Sequence, residues 1–464
     1  MRTSPAEPAI DRSPDHPVAS NSHGPVPVPP LSGASAVAQA ASTLDVAAGD
    51  ARPASQRLRV VFVDHCAQRS GGELALARLL PALDVDAHVV LAEDGPFVEL
   101  LLEAGATVEV LAMRSSLRGL SRADVRPGRL PLRSALATLP YTVKLARRLR
   151  HLRPDLVHTN SLKAALYGGI AGQLARVPVV WHVRDRIEAD YLPRFAVRLV
   201  RAAARVLPTA TIANSAATLA TIHLPHDHFG VAVHSPDACN HVGPQEPRHA
   251  TSGPLRVGIL GRLAPWKGQH LFLDAFAQAF PGGDEQAVVV GSAMFGEESY
   301  GEEITQQAKR LGLENRVEFT GFRDDVGDEL ARLDVLVHAS IIPEPFGQVV
   351  VEGMAAGVAV VAADAGGPAE TITDGVDGLL YAMGDVADLG RRLQELAIDP
   401  ALRLRLGDAG RIRAEDFSPE KAATAVMDVY RRTLDLSRRK GGESDASPDD
   451  RRGLPRPPQL ARRT

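Results

Sequence analysis

Two glutamates in the run EPFGQVVVE have the spacing and setting to bind hydroxyl groups or an anion. Glu344 lies in a polar loop, and Glu352 lies in the first turns of the helix predicted to follow it. Pro345 and Gly347 make the loop irregular, and the helix N-terminus offers unpaired N–H groups and a partial positive charge. The run therefore predicts a loop that holds a phosphate or sugar hydroxyls. The structural alternative is that Glu352 only interacts with the helix dipole and Glu344 is an exposed charge.

Two cations lie in the run GRLAPWKG, which follows a predicted strand at residues 255–261. Arg262 and Lys267 occupy the turn between this strand and the next helix. A departing diphosphate needs fixed cations, because developing negative charge is best stabilised by preorganised partners. The pair therefore predicts a diphosphate site, and the alternative is two surface cations beside a glycine turn.

The segments that must position these residues alternate between strand and helix patterns. Short β-branched runs predict strands, and longer runs with apolar residues three and four apart predict helices. This alternation predicts an α/β protein of two facing Rossmann-like, doubly wound domains, with a cleft at the carboxyl ends of the strands. The predicted strands cover residues 59–64, 87–91, 107–111, 156–158, 179–182 and 210–213, and then 255–261, 287–290, 317–320, 335–338 and 359–362.

The domain boundaries follow from where this rhythm breaks. Residues 1–57 are rich in Pro, Ala and Ser and include the run PVPVPP, which predicts a disordered tail. Prolines, histidines and polar turns interrupt the pattern before residue 253. We therefore predict domains at residues 58–240 and 241–436, and a second disordered tail at 437–464.

The composition excludes several classes of protein. The chain has 464 residues, of which 45% are hydrophobic and 23% are charged, and no run approaches the roughly 18 apolar residues of a membrane span. Two cysteines, Cys66 and Cys239, cannot form a disulfide framework or a four-thiolate zinc site. The net charge of -4 argues against a nucleic-acid partner. With no apolar signal core at the N-terminus, the sequence predicts a cytoplasmic protein.

With these motifs in place, the sequence resembles the retaining glycosyltransferases of family four, which have the GT-B fold and are also described as glycosyl transferases group 1. The resemblance extends over residues 58–436 and is most specific in the second half. The matching stretches are VGILGRLAPWKGQHLFLDAF, VEFTGFRDDV and HASIIPEPFGQVVVEGMAAGVAVVAADAGGPAETITDGVDGLL, with SGGELALARLL, LVHTNSLKAALYGG and VPVVWHVRD in the first half.

The resemblance implies a role for each residue of the second half, which would be the nucleotide-sugar-binding domain. Arg262 and Lys267 would bind the donor diphosphate, Glu344 the donor sugar, and Glu352 the ribose hydroxyls. The remaining donor-binding residues would be backbone groups around Phe346 and Gly347, and the segment at Phe322 and Arg323 beside the base.

The resemblance also implies that the first half is the acceptor side. His182 ends a predicted strand, where the family places a histidine beside the donor sugar; alone it would more often be structural. Gly71 and Gly72 would let the backbone approach a ligand, or form a plain tight turn. His158, Asn160 and Lys163 in HTNSLK would contact the acceptor, or act as cap and loop polar groups.

The expected activity is that of a retaining, metal-independent glycosyltransferase of the hexosyltransferase type. It would use a nucleoside diphosphate sugar as co-substrate and no cofactor, and serve cell-envelope glycan and glycolipid or secondary-metabolite biosynthesis. The acceptor would be a glycan, a lipid-linked molecule or a small molecule. Asp84 and Asp86 fit an Asp-x-Asp metal motif but lie before a strand, away from the cleft. The alternatives are a nucleotide-sugar epimerase of the same fold and a non-catalytic nucleotide-sugar-binding protein.

One basic region stands out in a chain of net negative charge. Residues 111–153 contain eleven Lys or Arg and one acid, and Arg194, Arg198, Arg201 and Arg205 recur at helical spacing. Such a face suits an anionic membrane surface or a phosphate-bearing acceptor. The sequence therefore predicts peripheral association with the inner face of a membrane, and the alternative is a solvated arginine-rich face.

Overall fold

The computed structural model describes residues 57–113, 132–234, 253–294 and 296–445, which lie within one compact unit that begins at Arg57. The predicted tail before residue 57, the end of the second tail and residues 114–131 of the basic region lie outside the described residues.

The first half of the chain forms a seven-stranded parallel sheet with the strand order β3-β2-β1-β4-β5-β6-β7. Most strand residues are buried, as expected where helices cover both faces of a parallel sheet. The strands are β1 (Leu58–Asp64), β2 (Val85–Leu91), β3 (Thr107–Val110), β4 (Leu156–Thr159), β5 (Val179–Val183), β6 (Ala210–Ala213) and β7 (Gly230–Ala232).

Helices follow these strands and pack on the sheet through their apolar stripes. In the fifth helix, for example, Val197 and Val200 are buried while Arg194 and Arg198 are exposed. The helices are α1 (Gly71–Leu79), α2 (Phe97–Glu103), α3 (Leu132–Leu152), α4 (Leu162–Ala175), α5 (Arg194–Ala204) and α6 (Ala216–Ile222).

The second half forms a six-stranded parallel sheet with the strand order β10-β9-β8-β11-β12-β13. Its strands are β8 (Arg256–Leu260), β9 (Gln286–Val290), β10 (Val317–Gly321), β11 (Val335–His338), β12 (Ala359–Ala363) and β13 (Leu379–Tyr381). Its helices are α7 (Gln269–Ala279), α8 (Glu298–Arg310), α9 (Val326–Ala331), α10 (Gln348–Ala355), α11 (Pro368–Thr371), α12 (Val386–Ile398) and α13 (Pro400–Ala414).

The last helix, α14 (Pro419–Asp445), returns to the first sheet. Ala423, Val426 and Tyr430 are buried in the same core as Phe62 of β1, and their spacing of three and four residues builds one apolar face. The sequence assigned the segment up to residue 436 to the second domain and the rest to a tail. In the structure one helix runs through residue 436 without a break, and its apolar face around Ala423, Val426 and Tyr430 packs against the first sheet. The domain bounds stay a prediction.

The strand order reverses once in each sheet, between β1 and β4 and between β8 and β11. Such reversals open a crevice at the carboxyl ends of the strands, where α/β proteins bind ligands. The predicted fold class, two doubly wound α/β halves, is confirmed.

Candidate active site

Lys267 and Glu344 form an ion pair at the point where the second sheet reverses. Lys267 ends a short 3₁₀ turn after β8, and Glu344 lies in the loop after β11. Nζ of Lys267 is 2.5 Å from Oε1 of Glu344. The predicted diphosphate-binding cation and the predicted sugar-binding acid are therefore direct partners.

The carboxylate of Glu344 receives its hydrogen bonds at one oxygen. Besides Lys267, Oε1 accepts a hydrogen bond from Oγ of Ser340 at 2.5 Å and lies 3.2 Å from Nε2 of His338. Burial raises the pKa of Glu344, but Lys267 and His338 outweigh burial and hold it below its ordinary value. Within the described ranges Oε2 has no hydrogen bond, so it is the oxygen that can accept one from a ligand hydroxyl.

Arg262 lies in the same turn, beside the indole ring of Trp266. Gly261 has a φ of 140°, a backbone conformation that glycine adopts readily, and the turn starts there. Cζ of Arg262 and Nζ of Lys267 lie 5.8 Å and 4.6 Å from the centroid of the Trp266 ring. Nε of Arg262 is also 3.5 Å from Oε2 of Glu297. Both cations therefore contact one aromatic ring, which limits how far either can move from this turn.

Glu352 lies on α10 and contacts the first half of the chain. Its Oε1 is 3.5 Å from NH1 of Arg78, which projects from α1, and both side chains are largely buried. Burial raises the pKa of Glu352, and the charges of Arg78 and Lys267 offset this only in part. Glu352 is therefore a buried acid at the boundary between the two halves.

Phe346 and Gly347 directly precede α10, and they differ in what each can offer to a ligand. The Phe346 ring is buried and packs against Phe417 and His234, so it belongs to the core. Gly347 has a φ of 80°, and a Cβ there would lie 2.7 Å from Cγ of Pro368. Only backbone groups of this pair could contact a ligand, and that contact stays a prediction.

Phe322 and Arg323 follow β10, the outermost strand of the second sheet. Phe322 is 64% exposed, and Nε of Arg323 lies 3.3 Å from Oε1 of Glu329. An exposed ring at this edge is able to stack on a base, and that role stays a prediction.

His182 belongs to a buried chain of hydrogen-bonding side chains. Its Nδ1 is 3.1 Å from Nε2 of His158 on β4, and Nδ1 of His158 is 2.7 Å from the hydroxyl of Tyr430 on α14. Burial, followed by the charge of Arg184, lowers the pKa of His158 to about 3 and the pKa of His182 well below its ordinary value. Both rings are therefore neutral.

Asn160 connects the carboxyl ends of three strands. Its Nδ2 donates to Oδ2 of Asp64 at 2.7 Å and to the carbonyl of Gly72 at 3.1 Å, and its Oδ1 accepts from Nε of Arg184 at 2.9 Å. Burial raises the pKa of Asp64, but contacts from His65 and then Asn160 outweigh burial and hold it below its ordinary value. Asn160 is thus fully occupied by protein partners, which favours a structural role over acceptor contact.

Gly71 and Gly72 begin α1 where the two halves approach each other. A Cβ on Gly71 would lie 3.4 Å from Oε1 of Gln348 on α10, and one on Gly72 would lie 3.1 Å from Cδ of Arg184. Lys163 begins α4 near the same edge, and burial lowers its pKa. These positions bring the predicted cleft residues of the first half to one edge of its sheet.

Further contacts join the two halves beside the Glu344 loop. Glu370 of α11 accepts hydrogen bonds from the backbone N–H groups of Ala216 and Ala217, at 2.9 Å and 2.5 Å. The hydroxyl of Thr218 donates to the carbonyl of Pro345 at 3.1 Å. The N-terminus of α6 is therefore held against the loop that carries Glu344.

Two groups of acids bear on metal binding. Asp64, His65 and Glu73 place ligand atoms within 4.8 Å of one another, but the His65 ring is hydrogen-bonded to Ser161 at 2.7 Å and lies 3.2 Å from Asp64.

Asp84 and Asp86, in contrast, lie at the amino end of β2, and ion-pair with arginines 57 and 59. The Asp-x-Asp motif therefore lies at the edge of the sheet opposite the cleft.

Several side chains at this site escaped sequence reasoning. Arg184 directly follows β5 in the WHVRD run, two residues after His182, so its position was a usable signal. Asp64 ends β1 in the same way. Arg78, His338 and Tyr430 gave no local signal, because their partners are distant in sequence.

The basic helix α5 divides into exposed and engaged arginines. Arg194, Arg198 and Arg205 are exposed. Arg201 instead donates to the carbonyls of Thr221 and Ile187 at 2.9 Å and 2.8 Å. Arg201 therefore braces the fold, and its assignment to the basic face from the sequence is wrong. Across the described segments, no helix combines the length and hydrophobicity needed to cross a bilayer.

Two family models match the chain. The model described as glycosyl transferases group 1 matches residues 245–413, and the one described as glycosyltransferase family 4 matches residues 74–231. The first segment contains the Lys267–Glu344 pair and the second contains His182.

Curated relatives agree with these matches. The chain is 30% identical over 303 residues to a D-inositol 3-phosphate glycosyltransferase of Streptomyces bingchenggensis, covering 60% of this chain and 66% of the relative. It is 30% identical over 331 residues to a 2-deoxystreptamine glucosyltransferase of Streptomyces kanamyceticus, covering 65% and 83%. Two other curated relatives are matched over only 49% and 34% of their own lengths, so the chain spans half of them or less.

A solved structure extends the comparison to the whole fold. Anabaena HepE in complex with UDP-glucose superposes with a TM-score of 0.69 at 30% identity, covering 81% of this chain and all of HepE. Both halves, and the order in which they follow each other, match. The chain belongs to the group 1 glycosyltransferases of family 4.

Proposed function

We propose that the protein is a retaining, metal-independent glycosyltransferase that moves a sugar from a nucleoside diphosphate to an acceptor hydroxyl. The observation that carries the proposal is the Lys267–Glu344 pair, with Arg262 beside it, at the reversal point of the second sheet. A cation pair and a carboxylate with one unused oxygen match the two chemically distinct ends of a sugar diphosphate.

The second half, proposed as residues 241–436, would hold the donor. Arg262 and Lys267 would bind the diphosphate, and Glu352 would accept hydrogen bonds from the ribose hydroxyls in place of Arg78. Because HepE was solved with UDP-glucose at 30% identity, uridine diphosphate sugars are the first donors to test.

The reaction needs no enzymic nucleophile. The acceptor hydroxyl would attack the anomeric carbon from the face that the diphosphate leaves, and the departing phosphate oxygen would take the hydroxyl proton. The bond from the anomeric carbon to phosphate breaks as the bond to the acceptor oxygen forms. Lys267 and Arg262 would stabilise the charge of the leaving group, while Glu344 and His182 would orient the oxocarbenium-like sugar.

The first half, proposed as residues 58–240, would hold the acceptor. Lys163 and the exposed edge near Gly71 and Gly72 remain the proposed acceptor contacts. The relatives act on an inositol phosphate and on an aminocyclitol by their names, so a polyhydroxylated ring is one acceptor class to test.

We also propose that the exposed face of α5 contacts an anionic bilayer. Arg194, Arg198 and Leu199 are exposed on α5, and Arg205 and Val206 are exposed directly after its last residue. The exposed fractions of Leu199 and Val206 are 55% and 68%. Cations that flank exposed apolar side chains are typical of helices that lie on a membrane surface. A lipid-linked acceptor would be reached from this position.

Thermal unfolding with a panel of nucleotides tests the donor site. A ligand that binds only the folded state raises the unfolding temperature. We expect stabilisation by one nucleoside diphosphate and its sugar, retained with a chelator present, and lost in Lys267→Met. The exposed Lys309→Met variant is the matched control. Stabilisation by none of the diphosphates, or only with added divalent metal, would count against the proposal.

A further inference from the structure

We propose that Arg184 and His158 are positioning residues that hold His182 in the tautomer protonated at Nε2, and that Tyr430 from the last helix orients His158. This inference rests on the proposed function, because the Nε2–H group would donate to an oxygen of the donor sugar. It adds to the site one residue that follows β5, one residue of β4 and one residue of α14.

Arg184 sets the direction of the hydrogen bonds that link His182, His158 and Tyr430. A guanidinium has only N–H donors and no acceptor. NH2 of Arg184 lies 3.4 Å from Nδ1 of His182, and Nε of the same guanidinium donates to Oδ1 of Asn160 at 2.9 Å, which fixes the plane of the group. This long contact disfavours a proton on Nδ1 of His182, and the hydrogen bond with His158 adds to that preference.

His158 must then act as the donor to His182. Its Nε2 lies 3.1 Å from the same Nδ1 of His182, so this nitrogen carries the His158 proton. In a neutral imidazole the other nitrogen is then an acceptor. The Tyr430 hydroxyl, 2.7 Å from Nδ1 of His158, is the donor that satisfies it.

If both histidines carried their protons on the opposite ring nitrogens, hydrogen-bond donors would face each other. This arrangement would place a proton on Nδ1 of His182, facing the Arg184 guanidinium. It would also leave the Tyr430 hydroxyl as an acceptor whose own proton has no other partner in the described part of the chain. Burial raises the pKa of Tyr430 well above its ordinary value, so the hydroxyl keeps its proton.

The consequence lies at the other nitrogen of His182. Nε2 is buried, has no hydrogen-bond partner among the described residues, and carries the proton in the inferred tautomer. A buried N–H group without a partner is costly, which favours a ligand that brings an oxygen acceptor. The ring would therefore select a hydroxyl or ring oxygen and disfavour a donor such as an ammonium.

Nitrogen-15 NMR of the full chain with labelled histidine reads the tautomer directly and needs no substrate. The His182 signals are assigned by their loss in His182→Gln. We expect a neutral ring protonated at Nε2 at neutral pH. A ring protonated at Nδ1, or a charged ring, overturns the proposal, whereas absence of sugar transfer with the expected tautomer overturns only the proposed function.

Two variants of His158 extend the test. His158→Phe removes the donor, and we expect mixed tautomers of His182 with a kcat about fivefold lower, the factor that corresponds to one ordinary hydrogen bond. His158→Gln restores an N–H donor, so it should recover most of the Nε2-protonated tautomer of His182 and most of the kcat. Tyr381→Phe removes a buried hydroxyl that has no partner in the described structure, and serves as the control that leaves the His182 signals unchanged. Equal His182 spectra in all three variants would contradict the role of His158.

Discussion

The ammonium of Lys267 lies 2.5 Å from the carboxylate of Glu344, so the two most specific motifs of the second half meet in one ion pair. Because Glu344 is buried and Lys267 only partly so, the cation can turn toward a ligand more easily than the acid can. A diphosphate that bound the ammonium of Lys267 would weaken its ion pair with Glu344. Binding of the leaving group would then be coupled to the orientation of the sugar.

Replacing Arg262 or Lys267 by Ala should reduce turnover by about 100- to 1,000-fold, as loss of a preorganised charge partner does. Arg262→Ala should lower stability less than Lys267→Ala does, since the partner of Arg262, Glu297, is more exposed than Glu344. Lys267→Ala should also lower the free energy of unfolding by about 3 kcal/mol, because it leaves the buried Glu344 without its cation. Denaturant unfolding and steady-state kinetics measure both effects.

The exposed pair Lys309→Ala and Arg310→Ala is the matched control for those two variants. Near-normal kcat in Arg262→Ala and Lys267→Ala would remove both residues from the site. Equal stability of Lys267→Ala and wild type would mean that the ion pair does not hold Glu344.

Glu352→Gln should weaken nucleotide binding by roughly 1.5 to 3 kcal/mol, because an amide is a poorer acceptor for ribose hydroxyls than a carboxylate. Calorimetric titration measures the affinity, and Glu298→Gln, at an exposed position, controls for the change in net charge. Unchanged affinity in Glu352→Gln would leave the acid with only its contact to Arg78.

Glu73 predicts a specific dependence of stability on pH. Burial, followed by the charge of Asp64, raises the pKa of Glu73 from 4.5 to about 7. Between these values the folded state keeps a proton that the unfolded state loses, so the contribution of Glu73 to the free energy of unfolding falls as pH rises. In Glu73→Gln this contribution should disappear, and the variant should gain stability over wild type across the same window. A stability difference that does not change with pH would show that the carboxyl titrates normally.

Binding to anionic vesicles should depend on the exposed arginines of α5. Each Lys or Arg near an anionic surface contributes about 1 kcal/mol, and salt screens this contribution. Replacing Arg194, Arg198 and Arg205 by Ser should abolish cosedimentation with phosphatidylserine vesicles at low salt without lowering the unfolding temperature. Arg201→Ser should do the reverse, because its contacts are internal. Equal sedimentation of the triple variant and wild type would assign these arginines to a solvated face.

Local patterns predicted eleven of the thirteen strands in the described part of the chain, and they missed β7, β13 and the contacts between distant segments. The strand at Ala210–Ala213 was predicted to the residue, because the apolar run and the turns that bound it are both visible in the local sequence. The Tyr430–His158 contact joins residues 272 positions apart, and only packing of α14 brings them together. Burial of the Phe346 ring likewise depends on packing, because its partners Phe417 and His234 are distant in sequence.

Sugar transfer from a nucleoside diphosphate sugar, followed by NMR of the product, tests the central claim most directly. A panel of donors is incubated with polyhydroxylated ring acceptors and a chelator, and wild type is compared with Lys267→Ala. The account predicts release of the nucleoside diphosphate by wild type, at least about 100-fold faster than by the variant, and a product whose anomeric configuration matches the donor. An inverted product, or equal release by wild type and Lys267→Ala, would contradict it.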